Sequence, residues 1–464
     1  MAKVTFYGAC GVVTGSCTHL SWSDGTELLV DCGMYQGPEQ LEQLNWEPFA
    51  FDAHKLQAVI LTHAHLDHIG LLPKLVKEGF SGPIHTTKAG RGLVSLILRD
   101  AAKIQEEQAR YARRKKYSHH RDPKPLYTSD EARKALNMLV TQPFDKTFDV
   151  VPGIRLRFRR AGHLLGAASV EIEAKGSDGE RRTWCFSGDI GRHGVPILKD
   201  PQPPEKAPAA LLLESTYGDR SHPDSNPKEE LAAIIEETYA RGGMVIIPAF
   251  ALGRSQEILY YMAELADEGR LDPKTVFLDS PMAIKATHIY DTAEAEHDAE
   301  LQELDDTVDP LAAPPFNHAA TVSQSKSLNH RRKPAVIISA SGMATAGRVV
   351  HHLKNHLGDP NSSVVLVGYQ AYGTRGRALQ EGADTVGIHG RRVRVRAQIH
   401  SLSGLSAHGD REDLINWCKA LPEPPQRIFL NHGEDPARKA LAAELEEAGF
   451  PRPVLPLPGD SVPW

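Results

Sequence analysis

Three imidazoles and a carboxylate crowd into one short stretch, Thr62-His63-Ala64-His65-Leu66-Asp67-His68, directly behind an apolar run from Gln57 to Leu61. Neither the helical period of 3.6 nor the strand period of 2 brings all four groups to one face, so amphipathicity does not account for them. Packed this closely they are costly unless a cation satisfies them, and imidazole with carboxylate is a donor set that suits zinc. A lone histidine is most often an ordinary core or surface residue. This cluster instead predicts a strand whose end opens into a metal-binding turn, with further ligands brought in from elsewhere in the chain.

The surrounding pattern is mixed α/β. Short apolar runs punctuated by glycine predict strands at Val4 to Tyr7, Thr26 to Val30 and Gln57 to Leu61. Helical spacing follows over Ile69 to Gly79, and a long helix over Leu93 to Lys116 ends in a basic cluster. A second strand-rich run, Gly153 to Phe158, Ala167 to Glu173 and Arg182 to Phe186, leads into Ser187-Gly188-Asp189, and the proline-rich stretch Asp200 to Pro208 marks a candidate boundary. Beyond it strand and helix alternate: strands at Ala210 to Leu213, Met244 to Ile247, Thr275 to Leu278, Ala335 to Ser339 and Val364 to Val367, helices around Glu229 to Ala240 and from Ser255. That alternation predicts a parallel sheet flanked by helices. The acidic segment Asp291 to Pro315 reads as a surface excursion.

Four more groups stand at strand ends beside or near glycine: Asp31 in LLVDCG, His163 in AGHLLGA, Asp189 in FSGDIG and His432 in LNHGE. Taken singly each is an ordinary turn residue. Together with the heptapeptide, in order and local context, they resemble the motif series of the metallo-β-lactamase superfamily. The resemblance implies two zinc ions, one on His63, His65 and His163 and the other on Asp67, His68 and His432, with Asp189 bridging and Asp31 orienting the ligand loop from behind. It also places Asp67 among the catalytic groups.

Between Asp189 and His432 lie 242 residues, far more than superfamily members for small substrates carry. That segment resembles the β-CASP insertion in LLLESTYG, PAFALGRSQE, ISASGMATAGR, GYQAYGTRGRAL and LSAHGD. The fold so implied is a metallo-β-lactamase αββα sandwich from residues 1–208 and 396–464, with an α/β β-CASP domain of residues 209–395 inserted and the active site in the cleft between the domains. Glu214 and His408 match the acidic and histidine motifs of that branch, and a histidine at the position of His432 is typical of its RNA-acting members, such as the pre-mRNA 3′-end endonuclease subunit and its bacterial and archaeal relatives. Zinc supplies nucleophile and Lewis acid, whereas the departing ribose oxygen needs a proton, which His408 steadied by Glu214 can give. ISASGMATAGR reads as a strand delivering Ser339 to Gly342 onto a helix N-terminus, which would offer backbone N–H groups of Ser341 and Gly342 to a phosphate, or else as an ordinary turn. Arg254 and Arg377 are counted with them as RNA contacts.

The charge balance narrows how RNA would be held. Lys and Arg number 53 against 59 Asp and Glu, a net charge of −6, so attraction must be local. Two basic clusters are candidates, Arg110 to Lys116 and Arg391 to Arg396, the second being the better RNA track because it lies near His400 and His408. Five cysteines without a CxxC argue for a reducing, cytoplasmic compartment, and no apolar window is long enough for a membrane span. The expected partner is single-stranded RNA, and a homodimer stays open. A DNA nuclease of the same fold, a small-molecule thioesterase and a catalytically silent scaffold are the competing readings, the last disfavoured because every ligand position is filled. Endonucleolytic and 5′ to 3′ exonucleolytic action are not distinguished.

Overall fold

The structure is a computed structural model that describes residues 2–115, 123–176, 178–223, 225–303, 309–311, 315–331, 333–368, 370–371, 373–402 and 404–464. Lys116 and parts of the acidic segment, residues 304–308 and 312–314, lie outside the described residues. The chain forms two compact units. Unit 1 comprises Met1–Gly194, Lys199–Ser221 and His408–Trp464, and unit 2 comprises Val195–Leu198 and His222–Ala407.

Unit 1 is built on two sheets. The first has seven strands in the order Ser461–Pro463, Lys3–Phe6, Thr18–Ser21, Glu27–Val30, Ala58–Ile60, Ile84–Thr87, Leu139–Gln142. The second has six, in the order Arg427–Leu430, Ala210–Leu213, Arg181–Phe186, Ala168–Lys175, Ile154–Arg160, Phe148–Val151. Side chains alternate across each sheet, and the period of two decides the layers. Val4, Phe6, Leu28, Val30, Ala58 and Ile60 of the first sheet share one core with Leu156, Phe158, Val170, Ile172, Trp184, Phe186, Leu212 and Phe429 of the second. Their neighbours Cys185, Leu211, Leu213, Ile428 and Leu430 point the other way and pack under Leu414 and Trp417 of the helix Arg411–Lys419 and Leu441 and Leu445 of the helix Asp435–Glu447. On the outer side of the first sheet the helix Gly90–Lys115 packs on the strand Ile84–Thr87. The result is helix, sheet, sheet, helix, the αββα sandwich.

Two details differ from the sequence reading. The helical spacing over Ile69 to Gly79 resolves into two short helices, Leu66–Ile69 and Leu72–Lys77, because Leu71 N–H leaves the helical ladder and bonds Cys32 O at 2.9 Å. The division between units falls after Ser221 and before His408, not at 208 and 396. Ala210–Leu213 pairs in parallel with both Arg181–Phe186 and Arg427–Leu430, which takes it and the proline-rich stretch before it into unit 1.

Unit 2 holds a six-stranded, all-parallel sheet in the order Asn317–His318, Val276–Leu278, Val336–Ser339, Val245–Pro248, Ser363–Val367, Gln398–Leu402. Both faces are buried, as a parallel sheet wrapped by helices requires. Val245, Ile247, Val336, Ile338, Val365 and Val367 face one core, and Ile246, Ile337, Val364 and Leu366 face the other. In the acidic segment Leu301 and Leu311 are buried.

A single buried carboxylate organises one end of this sheet. Asp279 accepts from Ser325 Oγ at 2.5 Å, Arg348 Nη1 at 2.7 Å and His352 Nε2 at 2.6 Å. Asp279→Ala should therefore destabilise unit 2 by about 3–5 kcal/mol, because the guanidinium and the imidazole are left without their anion. Hydrogen exchange in denaturant checks this: protection should fall in the strands of unit 2 and persist in those of unit 1. Unchanged protection in unit 2 would contradict it.

Candidate metal centre

The site residues of unit 1 sit just past strand ends. Asp31 follows Glu27–Val30; His63, His65, Asp67 and His68 follow Ala58–Ile60; His163 follows Ile154–Arg160; Asp189 follows Arg181–Phe186; Glu214 follows Ala210–Leu213; His432 follows Arg427–Leu430. Glu27–Val30 runs parallel to Ala58–Ile60, and Arg181–Phe186, Ala210–Leu213 and Arg427–Leu430 run parallel to one another, so within each sheet these ends open on a common edge. The turns are tight. Asp31 and His432 take left-handed backbone with φ of 59° and 49°, uncommon for non-glycine residues and frequent at functional sites. Gly33 lies so close beneath the histidine turn that a Cβ there would stand 1.6 Å from Asp67 O.

Hydrogen bonds fix which ring nitrogens face inward. Asp31 accepts from Thr62 N–H at 2.8 Å, from Thr62 Oγ1 at 2.7 Å and from His68 Nδ1 at 2.8 Å. With its proton committed to Asp31, Thr62 Oγ1 accepts from His63 Nδ1 at 3.1 Å. Thr216 Oγ1 repeats the device, donating to His432 O and accepting from His432 Nδ1, each at 3.1 Å. With Nδ1 of each ring bound from outside, His63, His68 and His432 present Nε2 to the site, and against burial the carboxylates of Asp189 and Asp31 raise His68 well above its usual range. His63 Nε2 and His163 Nε2 both face His65 Nδ1, at 3.1 and 3.0 Å. His432 Nε2 lies 3.2 Å from His68 Nε2 and 3.3 Å from Asp67 Oδ2.

Asp189 stands between the two groups. Its Oδ2 is 3.3 Å from His63 Nε2 and 3.6 Å from His163 Nε2, while its Oδ1 is 3.4 Å from His68 Nε2 and 3.5 Å from His432 Nδ1. Buried Oδ1 makes no hydrogen bond among the described residues. Lone pairs pointing at lone pairs and a buried oxygen without a donor are what a cation would relieve, so the donor set fits metal. The potential ligand atoms of His63, His65, His163 and Asp189 lie within 4.8 Å of one another, and so do those of Asp67, His68 and His432.

The electrostatics agree. Burial, reinforced by the charge of His68, lowers His63 to about 3, and burial lowers His65 to about 4 against the pull of Asp67 and Asp189. Burial and His408 hold His163 well below its usual range. All three are neutral at physiological pH, the form that binds metal. Burial opposes the charges of Asp67 and Asp189, yet the surrounding imidazoles hold both below the usual carboxylate range.

His408 and Glu214 form a pair beside this cluster. His408 Nδ1 lies 3.0 Å from Glu214 Oε2, and its Nε2 lies 4.0 Å from Asp189 Oδ2. Glu214 Oε1 also accepts from Ile190 N–H at 2.6 Å, so this carboxylate is occupied. Burial works against a charge on His408, but the carboxylate of Glu214, with Asp189 and Asp67, lifts it to about 9.

The expected RNA contacts are placed in unit 2. The helix after Val336–Ser339 begins only at Val349, so Ser341 and Gly342 lie in a turn rather than at a helix N-terminus. Ser341 Oγ there accepts from Thr345 N–H at 3.2 Å and Ala346 N–H at 3.4 Å. Arg254 is buried and paired with Glu257, and Arg377 is half-exposed with Nε 2.7 Å from Glu381. Thr62 and Thr216 are the residues that the sequence reading missed. Their signal was position alone, Thr62 beside His63 and Thr216 two residues after Glu214.

Three families match along the chain: the metallo-beta-lactamase superfamily over residues 10–233, the Beta-Casp domain over 255–379, and a Zn-dependent metallo-hydrolase RNA specificity domain over 392–455. A relative from Thermus thermophilus, named Ribonuclease TTHA0252, is 36% identical over 449 residues, 96% of each chain. This chain belongs to the β-CASP family of metallo-β-lactamase-fold hydrolases. As a member it is a metal-dependent enzyme. Transcription termination factor FttA of Methanosarcina mazei is 31% identical over 96% of this chain and 68% of its own length, and that of Methanothermobacter thermautotrophicus is 31% identical over 96% and 69%. A crystal structure of a protein of unknown function from Enterococcus faecalis V583 shares the fold, with a TM-score of 0.57 at 14% identity over 100% of both chains.

In this β-CASP hydrolase Asp31 should matter through His68. Asp31→Asn removes the charged acceptor of His68 Nδ1, and metal affinity should fall about 10- to 100-fold. Competition titration against a chromophoric chelator reads this directly, and an unchanged affinity would contradict the orienting role.

Proposed function

We propose that this chain is a zinc-dependent ribonuclease that hydrolyses RNA phosphodiester bonds, with His63, His65 and His163 holding one zinc, Asp67, His68 and His432 a second, and Asp189 bridging them. The observation that carries the reading is the placement of Asp189, whose two oxygens face two separate sets of imidazole nitrogens. Seven donors are too many for one tetrahedral ion. RNA as substrate is favoured by the ribonuclease relative and by the RNA specificity domain matched over residues 392–455. Five free thiols suit a reducing cytoplasm. Among the described residues no helix is long and apolar enough to cross a membrane.

Bound there, two zinc ions would polarise the phosphate and bring the pKa of a water toward neutrality. The remaining work falls to protein groups. Thr62, Asp31 and Thr216 hold the imidazoles in the tautomers that present Nε2. Glu214 takes Nδ1 of His408, leaving Nε2 and its proton toward the site. When the P–O bond to the departing ribose oxygen breaks, that oxygen keeps the electron pair and takes the proton from His408 Nε2.

Side-by-side digestion of matched RNA and DNA strands tests the substrate, with RNA expected to be cut and DNA spared. Preferential cutting of DNA would overturn the reading. Asp189→Ala should lose both metals, whereas His163→Ala should lose mainly one, measured by metal analysis after gel filtration. Two metals and full activity in Asp189→Ala would refute the bridge.

His408→Ala should slow RNA cleavage about 10²- to 10⁴-fold with metal content intact, while a nitrophenyl phosphodiester, whose leaving group needs no proton, is much less affected. Equal losses on both substrates would exclude the acid role. The pH profile has a definite sign. Because the folded-state pKa is raised to about 9, the proton is in place at neutral pH and is lost as pH rises through it. Bound cations push that value lower, so the RNA rate should fall at or below about pH 9, and His408→Ala should abolish the fall.

A further inference from the structure

The helix Gly90–Lys115 carries a row of cations that the reaction itself does not use. At about 100° per residue, Arg99, Lys103, Arg110 and Arg114 fall within an arc of roughly 60° and extend over about 22 Å of helix. All four are exposed. None has a carboxylate within salt-bridge distance among the described residues. Several exposed arginines elsewhere in unit 1 are paired, Arg133 with Asp130 and Arg155 and Arg181 with Glu173, whereas Arg452 is exposed without an ion pair among the described residues. Of the carboxylates bordering the arc, Glu106 is held by the N–H and hydroxyl of Ser129 at 2.8 and 3.0 Å, and Glu107 forms no ion pair among the described residues. A cationic row without ion pairs among the described residues, on a chain of net charge −6, is a local feature, not a consequence of composition.

The row also has a direction. The first residue of the helix is locked to the loop that carries His163: Thr87 Oγ1 donates to Gly166 O at 2.7 Å, and a Cβ on Gly166 would lie 2.1 Å from Gly90 N. The helix therefore starts against the loop that carries His163, and the row lies between about 14 and about 36 Å along it from that start. Beside the row Ile104 and Tyr111 are 46% and 48% exposed, and the guanidinium of Arg114 lies 5.5 Å from the Tyr111 ring centroid. Cations spaced along one exposed helix face are the elements of a single-strand track, in which charge follows the phosphate backbone.

We propose that the exposed face of Gly90–Lys115 is an RNA track, in which Arg99, Lys103, Arg110 and Arg114 bind successive phosphates of the strand whose scissile bond lies at the metal centre. The proposal rests on the ribonuclease reading. It predicts that RNA length and salt govern affinity through this helix without altering the chemistry.

The test compares the full-length, metal-loaded protein with the quadruple variant Arg99→Gln, Lys103→Gln, Arg110→Gln, Arg114→Gln. Binding of a fluorescent, cleavage-resistant 2′-O-methyl RNA of about 20 nucleotides, a length beyond one single-strand site of about 4–16, is followed against salt. The slope of log affinity on log salt should drop by about 2.8, since each phosphate no longer neutralised on a single strand accounts for about 0.7, and low-salt affinity should fall at least tenfold. Hydrolysis of a nitrophenyl phosphodiester should stay within about twofold. An unchanged slope overturns the track. So does an equal drop in Arg155→Gln, Arg181→Gln, which removes paired cations and would reduce the effect to overall charge. Binding to phosphatidylserine vesicles that is lost in the quadruple variant while RNA binding persists would assign the row to a membrane surface and overturn it too. If the wild-type protein binds RNA through the row but never cuts it, the ribonuclease reading fails and the track stands.

Discussion

Asp189 is the constraint on which the rest depends. A carboxylate buried among five imidazoles, with one oxygen lacking a hydrogen-bond donor, is a costly object in any fold. It holds its charge because the surrounding rings favour it over burial. Those rings in turn are held by groups that fill their outer nitrogens: Asp31 behind His68, Thr62 behind His63, Thr216 behind His432. The sheets supply the geometry. Parallel strands end on a common edge, and the turns past those ends are tight enough to need glycine at Gly33 and left-handed backbone at Asp31 and His432.

The same arrangement separates two kinds of histidine. Burial depresses His63, His65 and His163, which suits lone-pair donors, whereas against burial Asp189 and Asp31 raise His68 and Glu214 raises His408, the one of the two that stands outside the proposed ligand set. Position decides the role. Glu214 lies close enough to Asp189 and His432 to be counted as a third metal group, but Ile190 N–H and His408 Nδ1 already occupy its oxygens. In the proposed function this keeps metal binding and proton transfer on different residues.

Much of this was legible in the sequence because strands advertise themselves. Apolar, β-branched runs such as Val336–Ser339 and Ser363–Val367 are bounded by turns, and the predicted limits came within a residue or two. The convergence of His63 with His432 was legible only through motif order, since nothing local joins residues so far apart. What the sequence hid was long-range pairing. The proline-rich stretch before Ala210 looks like a boundary, yet the strand after it pairs on both sides within unit 1. Arg254, counted among the RNA contacts, is buried and paired with Glu257 one helical turn on, a partner that nothing in the local sequence singles out. Thr62 and Thr216 carry no distinguishing signal, because threonine next to a strand end is common and only the ring it supports gives it meaning.

The proposed function centres on two ions sharing one carboxylate. Anomalous diffraction at the zinc edge from crystals of the zinc-loaded protein measures this directly. Two peaks about 3.5–4 Å apart, with one Asp189 oxygen toward each, are predicted. A single peak, or two peaks that leave Asp189 without contact to either, would contradict it.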